Sequence, residues 1–284
     1  MKKICVFTGG RAEYGLLRPL LNELRDNKDI ELQILVSGMH LSAEFGLTYK
    51  EIEKDGFLCD EKVEMVLSSD TPVAISKSMA IGMIGFSEAL TRLNPDILVT
   101  LGDRYENMSI VTTAWVCRIP VAHIQGGEKT LGAIDDQFRH CITKMSRLHF
   151  TATNEYRNRV IQLGEHPENV FNVGECGLDN IHQLELLSKS QIQKQLDIKF
   201  LNKSMLFAYH PETVYDVTKS VNDVKNILNT FLRLTNDTTI IMTKANSDAG
   251  GRAINTLLLD FCENNENCFL FDSLGHLRFL SLLK

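Results

Sequence analysis

Apolar residues in this chain fall into short runs, separated by longer stretches in which they recur every three or four positions. The runs Lys3–Thr8, Ile30–Ser37, Ile97–Leu101, Ile119–Ile124, Leu148–Ala152 and Val170–Val173 are bounded by Gly, Pro or charged residues, which predicts buried parallel strands. Phe57–Met65 predicts a further short strand with acidic alternation. Helical spacing predicts helices over Tyr14–Asn27, Thr71–Leu93 and Glu155–Leu163, with Met79, Met83 and Ile84 of the second forming an apolar stripe most simply read as core. This alternation describes one doubly wound α/β lobe over residues 1–174. A second lobe over 175–284 follows, opening on a helix-rich linker, Leu178–Leu201. It carries strands Ser204–Tyr209, Thr238–Thr243 and Cys268–Phe271, and helices Val217–Leu234, Arg252–Glu263 and Leu274–Leu283. A full partner to the first lobe needs ~150 residues or more, so the second lobe is expected to be cut short.

The polar residues that follow the strands direct attention to one edge of the first sheet. Ligands of open α/β sheets bind in the crevice beyond the carboxyl ends of the strands. Gly102-Asp103-Arg104 follows one central strand and Gln125 through Glu128 the next, so Asp103 and Glu128 are expected to face the same crevice. Asp135, Asp136, Arg139 and His140 follow at a helix entry. The first strand ends in Gly9-Gly10-Arg11, where backbone N–H groups and a guanidinium suit an anionic group. An exposed Arg11 beside Glu13 is the equally weighted plain reading. His40 follows the second strand and is a candidate for the crevice. His210 precedes Pro211 at a strand tip of the second lobe and is expected in the cleft between the lobes.

Composition narrows the function classes. A net charge of −6 without a basic run argues against nucleic-acid binding. No apolar stretch is expected to reach membrane-spanning length, and the apolar run after MKK is too short for a signal peptide. Seven scattered cysteines without a CxxC pair read as thiols of a cytoplasmic protein, with no metal site.

At this point the chain resembles a known family, the UDP-N-acetylglucosamine 2-epimerases, and in particular their hydrolysing branch. The resemblance rests on GGRAEYGLLRPLL, SGMHL, NPDILVTLGDRYE, HIQGGEKTLGAIDDQFRHCITKMSRLHF, AYHPET and KANSDAGGRAIN, and runs over the whole chain. It implies two Rossmann-like doubly wound lobes of the glycosyltransferase-B type, with a UDP-sugar between them and no cofactor or metal. It implies anti-elimination of UDP across C1 and C2 of the sugar, then hydration of the resulting glucal to the free manno-configured sugar, as in sialic- and legionaminic-acid synthesis. On the matching positions, Asp103 and Glu128 take acid/base roles and Asp135 comes next. Asp136 is less secure, since one of the two aspartates could cap the helix. Arg11 matches a substrate-binding arginine and His210 a histidine near the diphosphate. Arg139 and His140 take ion-pairing or orienting roles. Gln125 stands where some relatives carry a carboxylate, which leaves open which group is the base. The members are expected to extend about a hundred residues further, and a homo-oligomer is expected. Three other readings stay open: a non-hydrolysing epimerase, a glycosyltransferase on the same fold, and an inactive sugar-nucleotide-binding fragment.

Overall fold

The computed structural model describes residues 1–214 and 216–284, with residues 180–183 described by backbone alone. Packing divides the chain into two compact units, Met1–Ser68 with Val73–His182, and Ser69–Pro72 with Gln183–Lys284. The first unit runs β1 (Lys2–Thr8), α1 (Arg11–Asp26), β2 (Ile30–Ser37), α2 (Tyr49–Lys54), β3 (Glu61–Val63), α3 (Pro72–Leu93), β4 (Ile97–Leu101), α4 (Tyr105–Val116), β5 (Val121–Ile124), α5 (Asp135–Met145), β6 (Leu148–Thr151), α6 (Asn154–Gln162), β7 (Val170–Asn172) and α7 (Cys176–Gln183). Its seven strands form one sheet in the order β3-β2-β1-β4-β5-β6-β7, and all pairs are parallel. The order reverses between β1 and β4, where Ile4 stands opposite Ile97, so the crevice of this doubly wound sheet opens beyond the tips of those two strands.

Both faces of the sheet are covered, which is why the strands read as apolar runs rather than as alternation. Cys5 and Phe7 of β1 pack on one side with Phe86, Ala89 and Leu90 of α3 and Ile110 and Val111 of α4. Val6 packs on the other side with Tyr14, Leu17 and Leu21 of α1. Of the stripe predicted for α3, Met79 packs against the core, whereas Met83 and Ile84 do not. The buried positions of the helix are Ala74, Ser78, Gly82, Phe86, Ala89, Leu90 and Leu93. Ile84, expected in the core, is 67% exposed. Met65 fills the space beside Gly82, which brings that face of the helix onto the core. By length and composition α3 is long and apolar enough to cross a membrane, contrary to the expectation that no stretch reaches that length. Lys77 and Glu88 interrupt its apolar residues, so the sequence shows no single long run. β3 is shorter than Phe57–Met65, because Phe57 and Cys59 enter the α1-side core from a loop instead of pairing.

The second unit runs α8 (Lys189–Leu196), β8 (Lys203–Ala208), α9 (Val217–Phe231), β9 (Thr238–Thr243), α10 (Gly251–Glu263), β10 (Cys268–Phe271) and α11 (Gly275–Leu283). Its sheet is parallel in the order β10-β9-β8. α9 and α10 cover one face through Val224, Leu228, Ile254 and Leu258. α8 and α11 lie on the other, where Ile192, Leu196 and Leu274 meet Ile241 of β9. The Ser281 hydroxyl of α11 accepts the Leu187 N–H at 2.9 Å.

Candidate active site

The site is assembled from the turns that leave β1, β4 and β5 and from the first turns of the helices that follow. Each turn is a place where apolar periodicity stops and the backbone bends sharply. Gly38, after β2, sits at φ +59, and a Cβ there would lie 2.5 Å from the Gly9 carbonyl oxygen. Only glycine allows the two strand tips to come so close.

Arg139, buried on the second turn of α5, joins the two central strand tips. Its Nε donates to Asp103 Oδ2 at 3.1 Å and its Nη2 donates to the same oxygen. Nη1 donates to Glu128 Oε2 at 2.7 Å, and Nη2 reaches Thr130 Oγ1 at 3.2 Å. One guanidinium therefore holds both carboxylates, each of which keeps an oxygen outside this pairing. Burial raises the Glu128 carboxyl above its ordinary range in spite of Arg139 beside it. Glu175, which follows Gly174 beyond β7, adds to that rise.

The helix-entry residues divide by partner. Asp136 Oδ1 accepts the Thr130 N–H at 2.8 Å, and its other oxygen lies 3.9 Å from His140 Nε2. It thus secures the Gly126–Ala133 loop. The residue preceding α5 is Ile134, which supplies no side-chain cap, and both aspartates lie in the first turn of the helix. Asp135 is half-buried at the first position of α5, and Arg11 is half-buried at the first position of α1. His140 Nδ1 is buried without a hydrogen-bond partner.

His40 stands differently from its expected place in the crevice. It is fully buried, with Nε2 hydrogen-bonded to Thr8 Oγ1 at 3.0 Å and Nδ1 to Thr48 Oγ1 at 2.8 Å. Burial pushes its pKa down to about 3, so it is a neutral brace under the β1 tip rather than a substrate ligand. Its position at a strand end could not reveal this, because the Thr8 and Thr48 partners are supplied by the fold. His210 belongs to the other unit, exposed beyond the end of β8 and followed by Pro211.

Three further residues join the site beyond those expected from the sequence. His123, in the middle of β5, donates from Nε2 to the Gly102 carbonyl at 2.7 Å, which leaves Nδ1 to accept from Thr143 Oγ1 at 3.1 Å. It fixes the turn that carries Asp103, and burial lowers its pKa to about 3. Within a strand it read only as a core position. Glu175 accepts the Gln125 side-chain N–H at 2.6 Å. Its place after Gly174 at a strand end is the same signal that marks Asp103 and could have found it. Glu13 is buried with Glu106 beneath Gly9 and is taken up below. Among the described residues no cluster of His, Cys, Asp and Glu has metal-holding geometry.

The parallel seven-stranded sheet, its switch point between β1 and β4 and the carboxylates gathered there define a doubly wound α/β protein with a strand-end site. The model of the family described as UDP-N-acetylglucosamine 2-epimerase matches residues 22–284. The chain belongs to the UDP-N-acetylglucosamine 2-epimerase family. It is 43% identical over its full length to a Campylobacter jejuni GDP/UDP-N,N'-diacetylbacillosamine 2-epimerase (hydrolyzing), of which it covers 73%. It is 37% identical over its full length to the Escherichia coli polysialic acid biosynthesis protein P7, covering 72% of it. Among solved structures, Neisseria meningitidis UDP-GlcNAc 2-epimerase bound to UDP-GlcNAc aligns with a TM-score of 0.78 at 18% identity, over 100% of this chain and 75% of that one. The likeness in structure shows the fold, two Rossmann-like units of the glycosyltransferase-B type.

Proposed function

We propose that the chain is a hydrolysing 2-epimerase that converts a UDP-N-acetylglucosamine-type sugar nucleotide to UDP and the free manno-configured sugar. The observation that carries this reading is the Asp103–Arg139–Glu128 bridge at the strand tips, in a chain 43% identical to a relative named as a hydrolysing 2-epimerase. A carboxylate removes the C2 proton as the C1–O bond to UDP breaks and the electron pair leaves with the diphosphate, forming a C1=C2 bond. Water then adds its oxygen to C1 while C2 is protonated from the opposite face. Glu128 suits the first transfer, because a carboxylate with a raised pKa is a stronger base. Asp103 and Asp135 are the partners for reprotonation and for activating water. Arg11 holds the diphosphate as its charge grows. Arg139, Asp136 and His140 keep the carboxylates in place.

The finer readings are part of the same proposal: a substrate of the UDP-GlcNAc or UDP-2,4-diacetamido-2,4,6-trideoxyglucose type, a role in sialic- or legionaminic-acid synthesis, a cytoplasmic site of action and a homo-oligomeric state. The exposed apolar Ile81 and Ile84 of α3 support the last of these. Incubation with each UDP-sugar in deuterated, oxygen-18-labelled water tests the reaction. The expected product is free sugar with deuterium at C2 and labelled oxygen at C1, together with one equivalent of UDP. Deuterium at C2 in a sugar still joined to UDP would replace this reading with the non-hydrolysing one.

A further inference from the structure

The tips of β1 and β4 hold two carboxyl groups that the steps above do not use. Glu13, in the first turn of α1, folds back so that its Oε2 accepts the Gly9 N–H at 2.7 Å. It is only 6% exposed, and its Oε1 is buried with no hydrogen-bond partner. Glu106, in the first turn of α4, is fully buried against the same turn. A Cβ on Gly9 would lie 3.1 Å from Glu106 Cβ and 3.6 Å from Glu13 Oε2, and one on Gly38 would lie 3.1 Å from Glu106 Oε1. The Gly9 backbone is thus wedged between the two side chains. Arg104 supports Glu106, with Nε 3.2 Å from Oε2 and Nη2 3.4 Å from Oε1. The other charged groups that act on Glu13 are Arg104, which lowers its pKa, and Asp103 after β4, which raises it.

Two buried carboxyls side by side cannot both ionise without a large cost, and the one whose oxygen lacks a partner is the one that keeps a proton. We propose that Glu13 is a positioning residue acting as a neutral carboxylic acid, which holds the Gly9–Gly10 turn against ionised Glu106 and so presents Arg11 to the diphosphate. This rests on the reading of Arg11 as the diphosphate-binding arginine. Burial first, and then the charge of Glu106, raises the Glu13 pKa to about 8. Above that pH an ionised Glu13, two residues along the chain, repels the diphosphate and competes with it for Arg11.

The proton also registers in stability. A carboxyl whose folded pKa lies above its unfolded value of 4.5 favours the folded state most at low pH, and that contribution is lost as pH rises towards about 8. The test compares the wild-type chain with Glu13→Gln, whose amide mimics the protonated acid, and with Glu13→Ala. KM for UDP-GlcNAc, kcat and the urea midpoint are each measured from pH 5 to 9.5. In the wild type KM should rise about tenfold or more above pH 8 with little change in kcat, as a single ionisation that blocks binding requires. Glu13→Gln should show no such rise, and Glu13→Ala a raised KM at every pH. The urea midpoint of the wild type should fall relative to Glu13→Gln between pH 5 and 8. An alkaline rise in KM shared by wild type and Glu13→Gln would overturn the positioning role, and parallel urea midpoints would overturn the held proton. A chain that releases no UDP at any pH would remove the proposed function, and the urea curves would still decide the proton.

Discussion

Arg139 is the residue on which the candidate site turns, because it touches both carboxylates proposed for proton transfer. Replacing Asp103 by Asn or Glu128 by Gln should lower UDP release by ~10²–10⁴-fold, the usual contribution of a positioned acid or base. Circular dichroism should show the fold retained, and turnover at the wild-type rate in both variants would take these residues out of the mechanism. Arg139→Ala has a second consequence. It leaves two largely buried carboxylates without their cation and should cost about 3 kcal/mol in urea unfolding, in addition to the loss of activity. A midpoint matching the wild type would mean that the bridge is not holding the loops. The pH dependence has a defined sign. The base must be ionised, and Glu128 is held above its ordinary range, so kcat/KM should fall with acid at a pH higher than an unperturbed glutamate would set. In Glu128→Gln the residual rate should not show this limb.

At the scale of elements, the geometry depends on strand tips that approach closely enough to share side chains. The β1 and β2 tips do so at Gly38, which is both left-handed and in near contact with the Gly9 carbonyl. Gly38→Ala should therefore destabilise the first unit by roughly 1–3 kcal/mol, combining backbone strain with displacement of the Gly9 turn. Because that turn carries Arg11, KM should rise in the same variant. A Gly38→Ala protein with wild-type melting and KM would show that the tip can open at no cost. His123 makes the related connection between β5 and the Gly102 turn, from inside the sheet.

At the scale of the whole molecule, the two units differ in how their sheets are protected. β1, β4 and β5 lie inside a seven-stranded sheet with both faces covered, and their amides should be the slowest to exchange. β8 is an edge strand whose Lys203, Ser204 and Ala208 are exposed, and its amides should exchange sooner than those of β9 beside it. Leu283, near the end of α11, is 63% exposed, so the last turn of that helix should exchange early as well. Hydrogen exchange read by mass spectrometry checks this order, and β8 amides as protected as those of β1 would contradict it.

What the sequence determined alone is what depends on near neighbours. The period of apolar residues marks Ile30–Ser37, Thr238–Thr243 and Cys268–Phe271 as strands with the bounds the structure gives them. The break in that period at Gly102 and Gln125 marks where Asp103 and Glu128 leave the sheet. What only the tertiary structure decided is which side chains meet. Arg139 reaches Asp103 across 36 positions of sequence, and nothing local distinguishes it from a solvated helix arginine. Both faces of α3 carry apolar residues, and the core takes the face of Gly82, Phe86 and Leu90 and leaves Ile84 outside, because Gly82 admits Met65 close to the helix. Glu13 reads as a surface charge beside Arg11, because its burial is set by Gly38 and Glu106, which reach the Gly9 turn from two other strand ends. Periodicity is written in adjacent residues, whereas burial and charge pairing come from distant segments that meet only when the sheet has formed.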